Sequence, residues 1–165
     1  MVIRAERVDD LPAIAAVHVA AFPTPAEARV VDALRKAGRL TISLLAEQNG
    51  IVGGHVALSP VTIAGAGAGL GLGPLAVLPQ FQRQGIGKSL INQALAEARK
   101  LGTGLVVVLG APAYYGRFGF SPASELGLSD EYGGGGAFQA IALLPGAARH
   151  RGVVQYAPEF ALFGC

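Results

Sequence analysis

The segment Gln82-Arg83-Gln84-Gly85-Ile86-Gly87-Lys88-Ser89 follows an apolar run, Leu72 to Val77, and leads into an amphipathic stretch that reaches Lys100. A glycine loop that opens a helix leaves backbone N–H groups unpaired at the positive end of the helix dipole. Such an end holds a phosphate or pyrophosphate without needing any particular side chain. Arg83 and Lys88 add charge where a polyanion would lie. Three phosphate patterns compete for these residues. The Walker A loop, G-x-x-x-x-G-K-S/T, matches Gly87-Lys88-Ser89 but needs a glycine where the chain has Gln82. A small kinase is disfavoured on that ground, and because the run Leu105 to Leu109 carries no carboxylate to help hold magnesium. The dinucleotide fingerprint G-x-G-x-x-G fails at Leu90. A third pattern, Q/R-x-x-G-x-G/A, is met in full by Gln82 to Gly87.

Composition narrows the setting in which this loop works. The 165 residues are 52% hydrophobic and 15% charged, which suits one folded domain over 1–165 and argues against disorder. No formally charged side chain occurs between Glu47 and Arg83. Gly53, Gly54, Pro60, the alternate glycines from Gly65 to Gly73, Pro74 and Pro79 break that stretch, so no apolar helix of bilayer length is expected. Arg4, Glu6, Arg7, Asp9 and Asp10 leave no apolar core for a secretory signal. A lone cysteine, Cys165, excludes an internal disulfide, and the scattered His18, His55 and His150 show no metal-ligand spacing. The net charge of +2, with no basic run interleaved with aromatics, gives no reason to expect nucleic acid as a partner. A cytoplasmic location is expected.

The elements that must position the loop follow from periodicity. Val2 to Ala5 reads as a strand, and Asp9 and Asp10 offer cap chemistry to a helix whose stripe is Leu11, Ile14, Val17, His18 and Ala21. Thr24-Pro25-Ala26-Glu27 reads as a capping box for a second helix that buries Val30, Val31 and Leu34 and stops at Gly38. Thr41 to Glu47 and Ile51 to Leu58 flank the hairpin dipeptide Asn49-Gly50. The glycine-alternating stretch Gly65 to Gly71 reads as a mobile hairpin tip, with a strand from Leu72 to Val77 after it. A helix over Gly87 to Lys100 is predicted to end at Gly102, followed by a valine-rich strand, Leu105 to Leu109, buried on both faces. Strand, helix and strand then form a parallel pair with a right-handed crossover. A short helix over Ala113 to Arg117 and strands over Phe138 to Leu144 and Gly152 to Tyr156 complete the order. The expected class is α/β (α+β): a mixed, largely antiparallel sheet with a central parallel pair and helices on both faces.

The loop, its strand and one further segment resemble the GNAT superfamily of N-acetyltransferases. The strand Leu75-Ala76-Val77, Pro79 and the Gln82 to Gly87 loop are similar to the family's acetyl-coenzyme A motif, and Tyr115-Gly116-Arg117-Phe118-Gly119-Phe120 fits its Y-x-x-x-G-F segment. The resemblance implies that the backbone of Arg83, Gln84, Gly85, Ile86, Gly87, Lys88 and Ser89 holds the coenzyme's pyrophosphate. It implies that Leu75, Ala76 and Val77 meet the pantetheine arm and acetyl group, and that Tyr115 protonates the departing thiolate. The implied partners are acetyl-CoA as cosubstrate and an amine acceptor of unidentified structure, with a homodimer as the candidate assembly and no metal. Two departures stand out. The asparagine that many members carry seven residues before the tyrosine is Val108 here, and the fourth-strand glutamate that often serves as base has no counterpart in Leu70 to Leu78. They keep open an alternative, a catalytically weak acyl-CoA-binding sensor or interaction protein of the same fold. His55, Glu47 or an ordered water are the base options. His18 and His55 otherwise read as packed core histidines, and Tyr114 as core or substrate wall.

Overall fold

A computed structural model describes residues 1–146 and 151–164; His150 and Cys165 lie outside them. The chain divides into two compact units: Met1–Leu58 with Gly73–Ala94 and the segment from Pro158, and Ser59–Leu72 with Leu95–Ala157. Neither unit is continuous in sequence.

In the first unit, strand β1 (Val2–Ala5) pairs antiparallel with β2 (Ile42–Gln48), and β2 pairs antiparallel with the start of β3 (Ile51–Ile63). The β2–β3 turn is Asn49-Gly50, with φ of 52° and 78°, the left-handed pair that a two-residue hairpin requires. Helices α1 (Leu11–Ala21) and α2 (Ala26–Lys36) bury Ile14 and Val31 against Leu45 and Ala57. The opposite face of β3 takes α3 (Ile86–Lys100). A Cβ at Gly54 would stand 2.8 Å from Ile86 Cγ2 and 3.0 Å from Leu90 Cδ1, so the missing side chain is what lets the helix approach. Helices therefore cover both faces of β3 here, as expected. Gly38, at φ 71°, ends α2 through Arg39 N–H donating to the Leu34 carbonyl at 2.8 Å.

The second unit holds the parallel pair. β4 (Ala66–Val77) runs parallel to β5 (Leu105–Leu109) at Leu70↔Val106 and Gly71↔Val107. β5 then pairs antiparallel with β8 (Phe138–Ala142), and β8 with the two-residue β6 (Ser121–Pro122). A second parallel pair joins β7 (Leu128–Asp130) to β9 (Gly152–Gln155), which also pairs antiparallel with the end of β3. Val61, Leu105, Val107, Leu128, Phe138 and Val154 belong to this unit's core. The short helix α4 (Pro112–Tyr115) belongs to this unit, and α5 (Glu159–Leu162) to the first.

The mixed, largely antiparallel sheet agrees with the expected class, and three local expectations are corrected. Gly65 to Gly71 is not a loose tip: the turn is confined to Ala64-Gly65, and strand begins at Ala66. The alternate glycines clear one face of that strand for close neighbours. A Cβ at Gly69 would lie 2.1 Å from the Leu105 carbonyl oxygen, and one at Gly71 2.8 Å from the Tyr156 ring. The capping box also fails, because α2 starts at Ala26 and Pro25 is its cap residue. Thr24 Oγ1 accepts instead from Ala26 N–H at 3.3 Å, and Glu27 Oε2 is buried without a partner among the described residues. Asp10 does hold the cap position of α1, but its side chain makes no cap bond there: Asp9 and Asp10 form a single 3₁₀ turn with Val8, and Asp10 binds Arg4 and the Arg7 N–H.

Candidate active site

The end of β4 delivers the chain to the glycine loop, and backbone bonds define the path. Leu78 N–H donates to the Gly53 carbonyl at 2.8 Å, and Phe81 N–H to the Leu78 carbonyl at 2.8 Å. Gln82, first residue of the loop pattern, turns its side chain back so that Nε2 donates to the Val77 carbonyl at 3.2 Å. Gln84 Nε2 donates to the Gln80 carbonyl at 3.3 Å. Two residues inside the loop then adopt left-handed backbone, Arg83 at φ 63° and Gly85 at φ 83°. For a non-glycine residue such as Arg83 that conformation is uncommon and strained, which points to a loop held in shape for a reason.

Helix α3 begins at Ile86. Ser89 N–H closes its first turn onto the Gly85 carbonyl at 3.0 Å, so the N–H groups of Ile86, Gly87 and Lys88 precede the internal ladder and face outward. Ile86 itself is buried against β3, while Arg83, Gln84, Gly85 and Lys88 are exposed. A Cβ on Gly85 would meet nothing within 4 Å, so the space in front of the loop is open. The first unit thus brings Leu75, Ala76 and Val77 into sequence with Arg83 to Ser89 on one strand–loop–helix. An exposed row of backbone donors with two cationic side chains suits a pyrophosphate.

Tyr115 belongs to the second unit, at the end of α4. Its ring meets Tyr114, Phe118 and Phe120, edge-on to Tyr114 at 5.1 Å and to Phe120 at 5.8 Å between centroids. Burial, with some help from Tyr114, pushes the Tyr115 phenol up to about 12. Gly110 makes room for it, since a Cβ there would stand 2.3 Å from Tyr115 Cε2. Tyr114 differs: the Arg117 guanidinium lies 4.8 Å from its ring centroid, on the exposed side of α4.

Two of the base options are held in other roles. Glu47 accepts from Arg4 Nε at 2.9 Å, and Arg4 also grips Asp10, whose carboxyl that hydrogen bond holds at about 2. His55 is fully buried on β3. It joins a chain that the spacing of residues did not reveal. Arg35 Nε and Nη2 donate to Glu6 at 2.7 and 2.9 Å, Ser43 Oγ donates to Glu6, and Ser43 Oγ lies 2.8 Å from His55 Nε2. His55 Nδ1 is 2.8 Å from Nε2 of His18, which is also fully buried. Desolvation, then the Arg35 charge, lowers His18 to about 4, and desolvation with His18 and Arg35 drives His55 well below the usual histidine range. Both rings are neutral at neutral pH. The signal for this chain was parity: Ser43 and His55 are polar residues on strand positions whose same-face neighbours, Leu45 and Ala57, are core. Among the described residues no group of three His, Cys, Asp or Glu side chains could hold a metal ion, and no helix is long and apolar enough to cross a membrane.

Comparisons with known proteins agree on the family. The family model described as an acetyltransferase (GNAT) domain matches residues 39–122. The uncharacterized N-acetyltransferase YhbS of Escherichia coli K12 is 38% identical, covering 99% of this chain and 100% of its own length. A crystal structure of E. coli YhbS in complex with CoA superposes with a TM-score of 0.92 at 37% identity, over 97% of this chain and 91% of that one. A GNAT family acetyltransferase from Brucella melitensis in complex with acetyl-CoA gives 0.82 at 42% identity, over 96% and 97%. This chain therefore belongs to the GNAT family of acetyltransferases.

Proposed function

We propose that this protein transfers the acetyl group of acetyl-CoA to a primary amine of a small molecule or peptide by direct attack on the thioester. The carrying observation is the Leu75–Ser89 strand–loop–helix, with Arg83 and Gly85 in left-handed backbone and the α3 N-terminus open in front of them. The relatives solved with CoA and acetyl-CoA support the choice of ligand, and family membership favours the enzyme over the catalytically weak sensor or interaction protein. In this reading the backbone of Arg83 to Ser89 takes the pyrophosphate, with Arg83 and Lys88 as counter-charges. Leu75 to Val77 align the pantetheine arm and acetyl carbonyl, where a strand N–H stabilises the oxyanion, usually a large term in acyl transfer. Proximity of amine and thioester supplies much of the remaining rate. Tyr115 gives its proton to the leaving thiolate as general acid, while the proton shed by the attacking amine passes to an ordered water, through which the tyrosinate regains one. The reaction is placed in the cytoplasm, where acetyl-CoA would be drawn from the soluble pool.

Calorimetry with acetyl-CoA tests the ligand. Gly85→Asp introduces a carboxylate into the row of donors at a position with no steric neighbour, and Asp tolerates left-handed backbone better than most residues. Affinity should fall at least about tenfold while the variant stays folded, because like charge now faces the pyrophosphate. Equal affinity in the two folded proteins would place the coenzyme elsewhere.

A further inference from the structure

Gln139, near the start of β8, is a polar residue with almost no exposed surface, 1% of its total. Its neighbours along the strand, Phe138 and Ala140, belong to the core of the second unit. Strand alternation therefore points Gln139 to the opposite face, the face of Val108, which sits directly across from it on β5. An amide removed from water is costly unless it is hydrogen-bonded. Gln139 Nε2 donates to the Gly110 carbonyl at 3.3 Å. A carbonyl can only accept, so this bond also fixes which end of the amide faces Gly110.

Gly110 is where the chain leaves the sheet for Tyr115. The paired register of β5 and β8 ends at Leu109↔Phe138. Beyond it, Gly110 N–H still reaches the Ala137 carbonyl at 3.0 Å, while the Gly110 carbonyl takes its bond from Gln139. α4 starts two residues on, at Pro112, and the Ala111 carbonyl accepts from the N–H groups of Tyr114 and Tyr115 at 3.0 and 3.1 Å. The Tyr115 ring then folds back onto Gly110. A Cβ there would stand 2.8 Å from Tyr115 Cδ2 and nearer still to Cε2, so the ring rests on the bare Cα. Rotation of the Gly110–Ala111 peptide would tilt α4 and carry Tyr115 with it. The carbonyl of that peptide is the one that Gln139 ties down.

We propose that Gln139 is a positioning residue for acetyl transfer: through the Gly110 carbonyl it holds the Gly110–Ala111 peptide, and thereby the Tyr115 hydroxyl, in the pose from which the phenol donates. This rests on the reading of Tyr115 as general acid. In the step it serves, the acceptor adds to the thioester carbonyl and the carbon–sulfur bond breaks. The sulfur takes the Tyr115 proton, and the acceptor's proton passes to water. Gln139 touches none of these atoms. Its influence comes from geometry, since a misplacement of about 1 Å can cost on the order of a hundredfold in rate.

Single-turnover release of the coenzyme thiol from acetyl-CoA, with benzylamine or water as acceptor, and carbon-13 tyrosine-ring NMR of the full chain test this together. Gln139→Met keeps the length of the side chain and removes its donor. It should slow thiol release about tenfold, leave the calorimetric affinity for acetyl-CoA within about twofold, and move the Tyr115 ring resonances. In a Tyr115→Phe background the same change should cost less than about twofold, because no phenolic proton remains to be aimed. A glutamine that only stabilises the fold would cost the same factor in both backgrounds, and that result overturns the proposal. So does a wild-type rate in folded Gln139→Met. Where Gln139→Met does not fold, Gly110→Ala takes its place. The Gly110 backbone lies outside the left-handed region, so the added methyl acts on the ring rather than on the chain. It should give the same loss with Tyr115 present and none in the Tyr115→Phe background; a wild-type rate overturns the path through Gly110. Should a protein that binds acetyl-CoA release no thiol to either acceptor, the transfer reading fails while the NMR still decides the placement. Tyr115 resonances unmoved in Gln139→Met overturn it, and displaced ones keep it.

Discussion

Acid should destabilise this protein between pH 7.5 and 5.0, and His18 should account for about 2 kcal/mol of the loss. The ring titrates near 6.5 in an unfolded chain and is lowered to about 4 in the fold, by burial first and the nearby Arg35 charge second. A lowered histidine pKa means that the unfolded chain binds the proton more tightly. Stability is therefore full above about 6.5 and declines as pH falls towards 4. At pH 5.0 the unfolded ring is almost fully protonated and the folded one about a tenth so, which at 1.36 kcal/mol per unit gives about 2 kcal/mol. His55 works in the same direction. The ionised Asp10 and Glu6 lose their contributions as pH falls below about 4, so they lie outside this window. Urea unfolding at the two pH values, in the wild type and in His18→Leu, isolates the term. The variant should be weaker at pH 7.5 by about 1–3 kcal/mol, because His55 Nδ1 loses its donor. Its pH dependence should nevertheless shrink by about 2 kcal/mol. An unchanged difference between pH 7.5 and 5.0 in the variant would refute the reasoning, since the proton uptake would then belong to other groups.

Tyr115→Phe should lower kcat by about a hundredfold or more with acetyl-CoA affinity intact, and by the same factor from pH 6 to 9, because a phenol pushed up to about 12 stays protonated throughout. A wild-type kcat with chemistry shown to be rate-limiting would reduce this tyrosine to a packing role. Gly69→Ala should cost at least about 2–3 kcal/mol in urea unfolding, since its Cβ would sit 2.1 Å from a backbone oxygen that no rotamer change can move. A midpoint equal to wild type would mean that β4 and β5 can separate there without penalty.

Where the chain followed a single periodicity, its structure was legible. The stripe Ile14, Val17 and His18 on α1, the turn at Asn49-Gly50, the helix stop at Gly102 and the valine strand Leu105–Leu109 all rest on local rules with no strong competitor. Gly65 to Gly71 misled because glycine has two uses. It loosens a chain in solution, but it also lets backbone approach backbone, and only the neighbours at Leu105 and Tyr156 decide which applies. The two-residue strand β6 and the three-residue β7 carry too few residues for a period to register, and the pairing of β7 with the expected strand β9 comes from tertiary contacts.

The candidate site divides along the same line. Its loop is a contiguous motif, so its glycines, its cations and the helix that follows could be read from residue order. Even so, the left-handed Arg83 was not foreseeable, because nothing in an arginine codon position asks for φ of 63°. The Arg35–Glu6–Ser43–His55–His18 chain is assembled from four separate elements and the segment after β1, and no two of its members lie within five residues of each other. Each member alone has an ordinary explanation: a solvated ion pair, a strand serine, a core histidine. Only their distances reveal that the proton positions are determined in series, from a carboxylate that must accept to an imidazole that must offer a lone pair. That directionality is a property of the folded arrangement, and no single member of the chain carries it.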